Sequence, residues 1–169
     1  MLDSKLGCIY IEDNPADVEL FKLALNEAKL DCNLTVFEDG FETLTYIRKQ
    51  GKYFGRIVPD LIVMELDLAG LSPEEILQAL RSNKDFARVP VVILSSGFHS
   101  LSNRAMDQFQ ISLCIAKPPD LDDFLRIGMV LKQFLIGRGT ERWTDVTISS
   151  LAAHASAVSA RGAKNGKTL

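Results

Sequence analysis

The chain has 169 residues, of which 47% are hydrophobic and 24% are charged, and its net charge at pH 7 is -3. This size accommodates one globular domain with some additional length, and so mild a charge gives no electrostatic reason to expect a nucleic-acid or membrane partner. No apolar run approaches the roughly 20 residues that span a bilayer, and the first residues do not resemble a secretory signal, so we expect a cytosolic protein.

Short apolar runs alternate along the chain with longer segments of helical periodicity. The runs have the length of strands, and all but the second are apolar nearly throughout, which is typical of strands covered on both faces in a parallel sheet. The predicted strands are residues 6–11, 34–37, 61–65, 91–94 and 113–116.

Helical segments fill the intervals between these strands. They are predicted over residues 15–29, after Gly40, after Ser72, over residues 100–109 and over residues 120–136. Two of the starts are explicit: Asn14 precedes Pro15 as an N-cap before a first-turn proline, and Ser72 with Glu75 has the spacing of a capping box.

This alternation predicts an α/β fold, a doubly wound five-stranded parallel sheet with right-handed crossovers and five helices. Residues 137–169 differ in character, with five basic residues against two acidic ones and many Gly, Ala, Ser and Thr. They are too few for a second core and at most weakly helical alone. We therefore predict one domain over residues 5–136 and a C-terminal tail over residues 137–169 that is partly disordered or weakly helical.

Polar side chains follow the predicted strands where the strands end. Glu12 and Asp13 follow the first strand, Glu65 ends the third, Ser95 follows the fourth and Lys117 follows the fifth. The C-terminal ends of parallel strands meet at one edge of the sheet, where functional residues gather. Three carboxylates suit a hard cation such as Mg²⁺, with the hydroxyl and the ammonium left as donors for a bound phosphoryl group. We predict Glu12, Asp13 and Glu65 as the ligands of a weakly bound Mg²⁺ ion. The alternative is an acidic edge that Lys117 alone neutralises and that holds no metal.

The three cysteines, Cys8, Cys32 and Cys114, are widely spaced and include no CxxC pair. An odd number without close pairs argues against a disulfide framework or a zinc site. We therefore expect reduced thiols.

The ordered set of strand-end residues resembles the receiver domain of two-component response regulators, the CheY-like superfamily, over roughly residues 5–136. This resemblance implies the flavodoxin-like strand order 2-1-3-4-5. The stretch Glu12-Asp13-Asn14-Pro15-Ala16-Asp17-Val18-Glu19 also resembles stand-alone regulators of phytochrome-type histidine kinases.

The resemblance assigns a role to each strand-end residue. Glu12 and Asp13 fall at the acidic Mg²⁺ pair of the family, and Glu65 falls at the phospho-acceptor. Ser95 falls at the switch hydroxyl, and Lys117 falls at the lysine that precedes a proline, usually through a cis peptide bond.

Three residues depart from the family pattern. Glu65 stands where the family has aspartate, and its carboxylate reaches about 1.5 Å further, which disturbs the in-line geometry of phosphoryl transfer. Cys114 stands where the family commonly has a switch tyrosine or phenylalanine. Gln110 stands where a glycine usually ends the fourth helix, so we expect this helix and its following loop to differ from those of typical receivers.

Two hypotheses of function follow. The leading one is a non-enzymatic, single-domain pseudo-receiver that binds a histidine kinase or another signalling protein and forms a homodimer through its fourth and fifth helices. The alternative is a phosphotransfer receiver that takes a phosphoryl group on Glu65 or on Asp67. A nucleotide-binding enzyme lacks support, because neither a GxGxxG nor a GxxxxGK[ST] loop follows the first strand. Whether Glu65 imitates the phosphorylated state or locks the domain without a switch stays open.

Overall fold

The computed structural model describes residues 5–97 and 103–137. Its strands are β1 Leu6–Ile11, β2 Cys32–Phe37, β3 Leu61–Met64, β4 Val91–Ser95 and β5 Leu113–Ala116. Its helices are α1 Pro15–Glu27, α2 Gly40–Ile47, α3 Pro73–Ser82, α4 Asn103–Gln108, α5 Leu121–Leu125 and α6 Ile127–Ile136, with a short 3-10 helix at Gly51–Tyr53. The strands form one parallel sheet in the order β2-β1-β3-β4-β5, which confirms the predicted fold. All of the predicted tail except Gly137 lies outside the described residues.

Each central strand contributes side chains to two cores, one on either face of the sheet. In β1, Cys8 and Tyr10 pack beneath α1, α5 and α6, whereas Ile9 and Ile11 pack beneath α2 and α3. Successive strand side chains point to opposite faces, and here both faces are covered by helices. This explains why the central strands are apolar at nearly every position and show no polar alternation.

Strand β2 lies at an edge of the sheet and is longer than predicted. It begins at Cys32, because it pairs in parallel with the whole of β1, from Leu6 opposite Cys32 to Ile11 opposite Phe37. Exposed and half-buried residues alternate along it until Phe37. The weak apolar pattern of this strand is therefore a consequence of its edge position.

The predicted fifth helix is divided in two. Arg126 separates α5 from α6, although its backbone keeps right-handed helical angles. Two residues later, Gly128 lies directly on α1, where a Cβ atom would overlap the backbone carbonyl of Ala24. The Lys132 ammonium donates a hydrogen bond to the carbonyl of Ala28 at 2.8 Å. This close contact of α6 with α1 depends on the missing side chain of Gly128.

Three helices end in a left-handed residue that is not glycine. Lys29, Lys49 and Gln110 follow α1, α2 and α4 with φ angles of 50°, 51° and 51°. In each case the next residue donates its N–H to the carbonyl five residues before it, which closes a Schellman turn. Gln110 thus takes the left-handed turn that a glycine would take, so the expected difference from typical receivers does not include the loss of this turn.

The guanidinium of Arg81 holds this turn from α3. It donates hydrogen bonds to the carbonyls of Phe109 at 2.6 Å and Gln110 at 3.1 Å, and to those of Val89 at 3.0 Å and Ala87 at 3.2 Å. Burial lowers the pKa of Arg81. Four carbonyl acceptors nevertheless satisfy the buried donors, and α3 is thereby tied to the residues before β4 and β5.

A glycine in place of Gln110 should stabilise the protein. The left-handed conformation costs an ordinary residue about 1 kcal/mol or more, and glycine adopts it freely, so we expect Gln110→Gly to raise the free energy of unfolding by about 0.5–1 kcal/mol. Gln108→Gly, two residues earlier in α4, is the matched control and should lower it by about the same amount. Urea denaturation measures the free energy of unfolding of both variants. An equal loss of that free energy in the two would contradict a left-handed turn at Gln110.

Candidate functional site

Four of the predicted site residues, Glu12, Glu65, Ser95 and Lys117, meet at the C-terminal edge of the sheet. The backbone N–H of Glu65 donates to the carbonyl of Ile11 at 3.0 Å, and that of Lys117 donates to the carbonyl of Ser95 at 2.9 Å. These bonds extend the strand pairing by one residue and fix where the two side chains begin. The side chains of Lys117 and Glu65 are each 6% exposed, so the site is largely withdrawn from water.

The ammonium of Lys117 lies at the centre of the site. Its Nζ is 2.5 Å from Glu12 Oε2, 2.6 Å from Glu65 Oε2 and 2.7 Å from Asp17 Oδ2. An ammonium has three N–H donors, so each carboxylate takes one. Burial disfavours the charged form, but the hydrogen bonds with Asp17, Glu12 and Glu65 outweigh it and raise the pKa of Lys117. The lysine is therefore a fixed positive charge at neutral pH. Its peptide bond to Pro118 is trans, in contrast to the usual family form.

Asp17 is a site residue that sequence reasoning did not assign. It lies in the first turn of α1, whose N-terminus Asn14 caps by accepting the N–H of Ala16 at 3.0 Å. Since α1 starts at the same edge where β1 ends, this first turn places a carboxylate beside Lys117. An acidic residue in the first turn of a helix that leaves the functional edge was the available signal.

The carboxylate of Glu65 is surrounded by donors. Its Oε1 accepts the backbone N–H groups of Leu66 at 2.6 Å and Asp67 at 3.1 Å, and its Oε2 pairs with Lys117. Burial by itself raises the pKa of Glu65, but hydrogen bonds from Lys117, Ser95 and the Asp67 N–H lower it below its ordinary value. Because its pKa is lowered, Glu65 is ionised at neutral pH. A carboxylate offers about four lone-pair sites, and the donors around Glu65 leave it little capacity to accept further hydrogen bonds.

Ser95 ends β4 and is fully buried. Its hydroxyl accepts the N–H of Gly97 at 3.3 Å and lies 3.2 Å from the Gly97 carbonyl, which competes with Glu65 for the single hydroxyl proton. The predicted switch hydroxyl is therefore bound within the site and to the loop that leaves β4.

Glu12 is held by a second residue that sequence reasoning missed. The hydroxyl of Tyr10 donates to Glu12 Oε2 at 2.9 Å, and the N–H of Asn14 donates to Oε1 at 3.0 Å. Tyr10 is fully buried, and its ring stacks on Phe21 with 4.2 Å between centroids. Burial and the charge of Glu12 raise the pKa of Tyr10, so the phenol stays a donor. In the sequence, this tyrosine is indistinguishable from an apolar strand residue.

The residues predicted as metal ligands are not arranged as a ligand set. Within residues 5–97 and 103–137, no three His, Cys, Asp or Glu side chains are grouped as a metal ion requires. Lys117 lies between Glu12 and Glu65, and Asp13 Oδ2 accepts the N–H of Ala69 at 3.1 Å. Carboxylate oxygens suit Mg²⁺ chemically. Here most of them are bound to N–H and O–H donors, so an ion would have to compete with these donors for the oxygens.

The predicted switch position Cys114 lies away from this cluster. Cys114 is buried on the face of β5 that is opposite to α5 and α6. Its sulfur lies 3.4 Å from the sulfur of Met106. All three cysteines are reduced thiols, as predicted. No aromatic side chain stands at this position to rotate between a buried and an exposed state.

Comparison with known proteins identifies the family. The sequence profile of the response regulator receiver domain matches residues 8–127, so the chain belongs to the response regulator receiver family. Response regulator Rcp1 from Synechocystis sp. is 25% identical over 126 residues, which cover 75% of this chain and 86% of Rcp1. None of the helices in the described part of the chain is long and apolar enough to cross a membrane.

Solved structures agree with this assignment. The phosphorylated cyanobacterial phytochrome response regulator RcpA superimposes with a TM-score of 0.73 at 26% identity, covering 81% of this chain and 98% of RcpA. The Mn²⁺-bound form of Rcp1 has a TM-score of 0.69 at 24% identity, covering 80% and 97%. This is therefore a response regulator-type protein of two-component signalling. Proteins of this family are generally non-enzymatic and interact with histidine kinases or other signalling proteins.

The lowered pKa of Glu65 predicts a specific pH dependence. Glu65 contributes stability that is fully present above its ordinary pKa of 4.5 and is lost as the pH falls through the lower folded-state value. Glu65→Gln removes that contribution, so its free energy of unfolding should be lower at pH 7 and should decline less steeply below about pH 5.

Urea denaturation at a series of pH values measures this effect. Glu38→Gln is the matched control, because Glu38 is exposed and lies outside the cluster. The control should keep the acid dependence of the natural protein. An unchanged acid dependence in Glu65→Gln would contradict the ionised, hydrogen-bonded state of Glu65.

Proposed function

We propose that this chain is a pseudo-receiver, a single-domain signalling module that acts through protein contacts without phosphorylation at Glu65. One observation carries the proposal: Glu65 accepts hydrogen bonds from Lys117 and from the N–H groups of Leu66 and Asp67, and its interaction with the Ser95 hydroxyl helps to lower its pKa. The hydroxyl and the ammonium are the donors that a bound phosphoryl group would need. A carboxylate that already occupies them is a poor phosphoryl acceptor.

The same contacts bear on how the pocket signals. A phosphoryl group brings about -1.5 to -2 charges and three acceptor oxygens, and a glutamate brings one charge and two oxygens. Glu65 therefore imitates the phosphorylated state in part, by drawing Ser95 and Lys117 to a negative charge. With Cys114 in place of an aromatic switch, we propose that the pocket holds one arrangement and that the partner surface is constitutive.

The alternative is a receiver that still accepts a phosphoryl group, as the relative RcpA does. The acceptor would be Glu65 or Asp67. Asp67 is exposed, and its own N–H donates to Glu65 at 3.1 Å, so it lies at the rim of the cluster. The buried contacts of Lys117 are with Glu65 and not with Asp67, which favours the leading proposal.

The same site also bears on metal binding. The relative Rcp1 has been crystallised with Mn²⁺. For this chain we propose only weak Mg²⁺ binding through Glu12, Asp13 and Glu65, because their oxygens already have donors.

We also propose that a histidine kinase or another signalling protein is the partner, that the chain has no catalytic activity, and that it acts in the cytosol. Residues 5–136 would form the functional domain and residues 137–169 a tail.

Exposed apolar residues on the last two helices support a homodimer through α4, α5 and α6. Leu121, Met129 and Ile136 are 53%, 46% and 79% exposed. Met129 and Ile136 are seven residues apart and thus share one face of α6. Leaving such a face in water is unfavourable, and a second copy of the chain would cover it.

Shortening Glu65 should restore phosphorylation. Glu65→Asp withdraws the carboxylate by about 1.5 Å, which makes room for an in-line phosphoryl group beside Ser95 and Lys117. After incubation with Mg²⁺ and a small-molecule phosphodonor, intact-mass spectrometry should find one added phosphoryl group on this variant and none on the natural protein. Glu65→Asn is the control and should stay unmodified. Modification of the natural protein would favour the alternative, and peptide mapping would locate the acceptor.

The dimer proposal predicts a concentration-dependent mass. Light scattering coupled to size exclusion should find a dimer of the natural protein that the double variant Met129→Glu, Ile136→Glu converts to a monomer. Phe54→Glu is the control, since Phe54 is 87% exposed but belongs to the loop before β3. A monomeric natural protein, or equal dissociation in the control, would contradict this interface.

A further inference from the structure

We infer that Lys117 is the resident cation of the acidic pocket and takes the place of a divalent metal ion. The inference rests on the proposed function in that Glu65 stays an unmodified carboxylate. It goes further, because it assigns to this lysine the charge-balancing role that a bound metal would otherwise have.

The contacts of the ammonium resemble those of a coordinated cation. Oxygens from three separate elements surround it: Glu12 follows β1, Asp17 lies in the first turn of α1 and Glu65 follows β3. The distances from Nζ are 2.5, 2.7 and 2.6 Å, and its side chain is 6% exposed. All three N–H donors of Lys117 therefore have carboxylate acceptors, and little of the ammonium is left to water.

Neutral donors also form hydrogen bonds with Glu12 and Glu65. The Tyr10 hydroxyl and the Asn14 N–H bind Glu12, and the N–H groups of Leu66 and Asp67 bind Glu65. Among the described residues, no buried side-chain oxygen or nitrogen lacks a hydrogen-bond partner. The buried polar atoms of the pocket are thus satisfied without a metal ion.

A divalent ion would have to compete with this arrangement. Mg²⁺ requires near-octahedral oxygen ligands at about 2.0–2.1 Å. All four oxygens of Glu12 and Glu65 already have donors, the Oε2 atoms in Lys117 and the Oε1 atoms in backbone N–H groups, so an ion would compete with them. Two positive groups in one small buried space would also repel each other. Removal of the lysine charge should therefore increase the affinity of the pocket for divalent metal.

Manganese titration tests the inference directly. The electron paramagnetic resonance signal of free Mn²⁺ is measured while the natural protein and Lys117→Met are titrated. We expect Lys117→Met to bind Mn²⁺ at least about tenfold more tightly than the natural protein. We expect the dissociation constant of the natural protein to be weaker than about 1 mM. Equal affinities, or tighter binding by the natural protein, would overturn the inference.

Thermal unfolding is the second measurement. Lys117→Met leaves three carboxylates without a cation, so its unfolding temperature should be low in EDTA and should rise with Mg²⁺ or Mn²⁺. Lys132→Met is the matched control, because Lys132 donates to backbone carbonyls and not to carboxylates. Its unfolding temperature should not respond to the metals. Absence of metal rescue in Lys117→Met, with the control folded, would overturn the inference.

If Lys117→Met is unfolded under all conditions, Lys117→Gln replaces it, since an amide keeps hydrogen-bond donors without the charge. This variant should also bind Mn²⁺ more tightly than the natural protein, and equal binding overturns the inference. These readouts do not depend on phosphorylation. Failure of the metal experiments would leave the mass measurement on Glu65→Asp intact, and phosphorylation of the natural protein would not by itself change the Mn²⁺ affinities.

Discussion

One buried ammonium organises the functional edge of this protein. Lys117 binds Glu12, Asp17 and Glu65 within 2.5–2.7 Å, and these carboxylates come from the end of β1, the start of α1 and the end of β3. Buried charges are costly unless they are paired and hydrogen-bonded. The cluster meets this condition, and it thereby joins three elements that the chain brings together only through the parallel sheet. The raised pKa of Lys117 and the lowered pKa of Glu65 are two expressions of that one interaction.

The fold supplies this edge, and the residues on it decide the function. The similar structure of RcpA was solved in phosphorylated form. In this chain the carboxylate of Glu65 reaches into the pocket and interacts with Lys117 and Ser95, the donors that a phosphoryl group would use. The switch position holds Cys114, which packs against Met106 in the core, so the aromatic side chain that would rotate is absent as well. Both changes favour a fixed surface for protein contacts over a switch.

The sequence predicts the sheet and the helix starts better than it predicts the helix ends and the polar network. Strands with two buried faces are apolar at nearly every position, and the capping box of Ser72 and Glu75 forms as expected. Lys29, Lys49 and Gln110 take left-handed turns without glycine, and at Gln110 the hydrogen bonds of Arg81 hold the turn against the local preference. Tyr10 and Asp17 were missed because their roles depend on what lies opposite them. No local pattern distinguishes a stacked core tyrosine from one that also donates to Glu12.

The state of the Lys117 ammonium tests this account most directly. Nitrogen-15 NMR of the lysine side chains can follow each ammonium as the pH rises through the ordinary lysine pKa of 10.5. The account predicts that Lys117 gives a slowly exchanging, hydrogen-bonded ammonium signal and stays protonated after the exposed lysines have begun to titrate. A Lys117 that exchanges as fast as the exposed lysines and titrates with them would contradict the central claim that this residue is the fixed cation of the pocket.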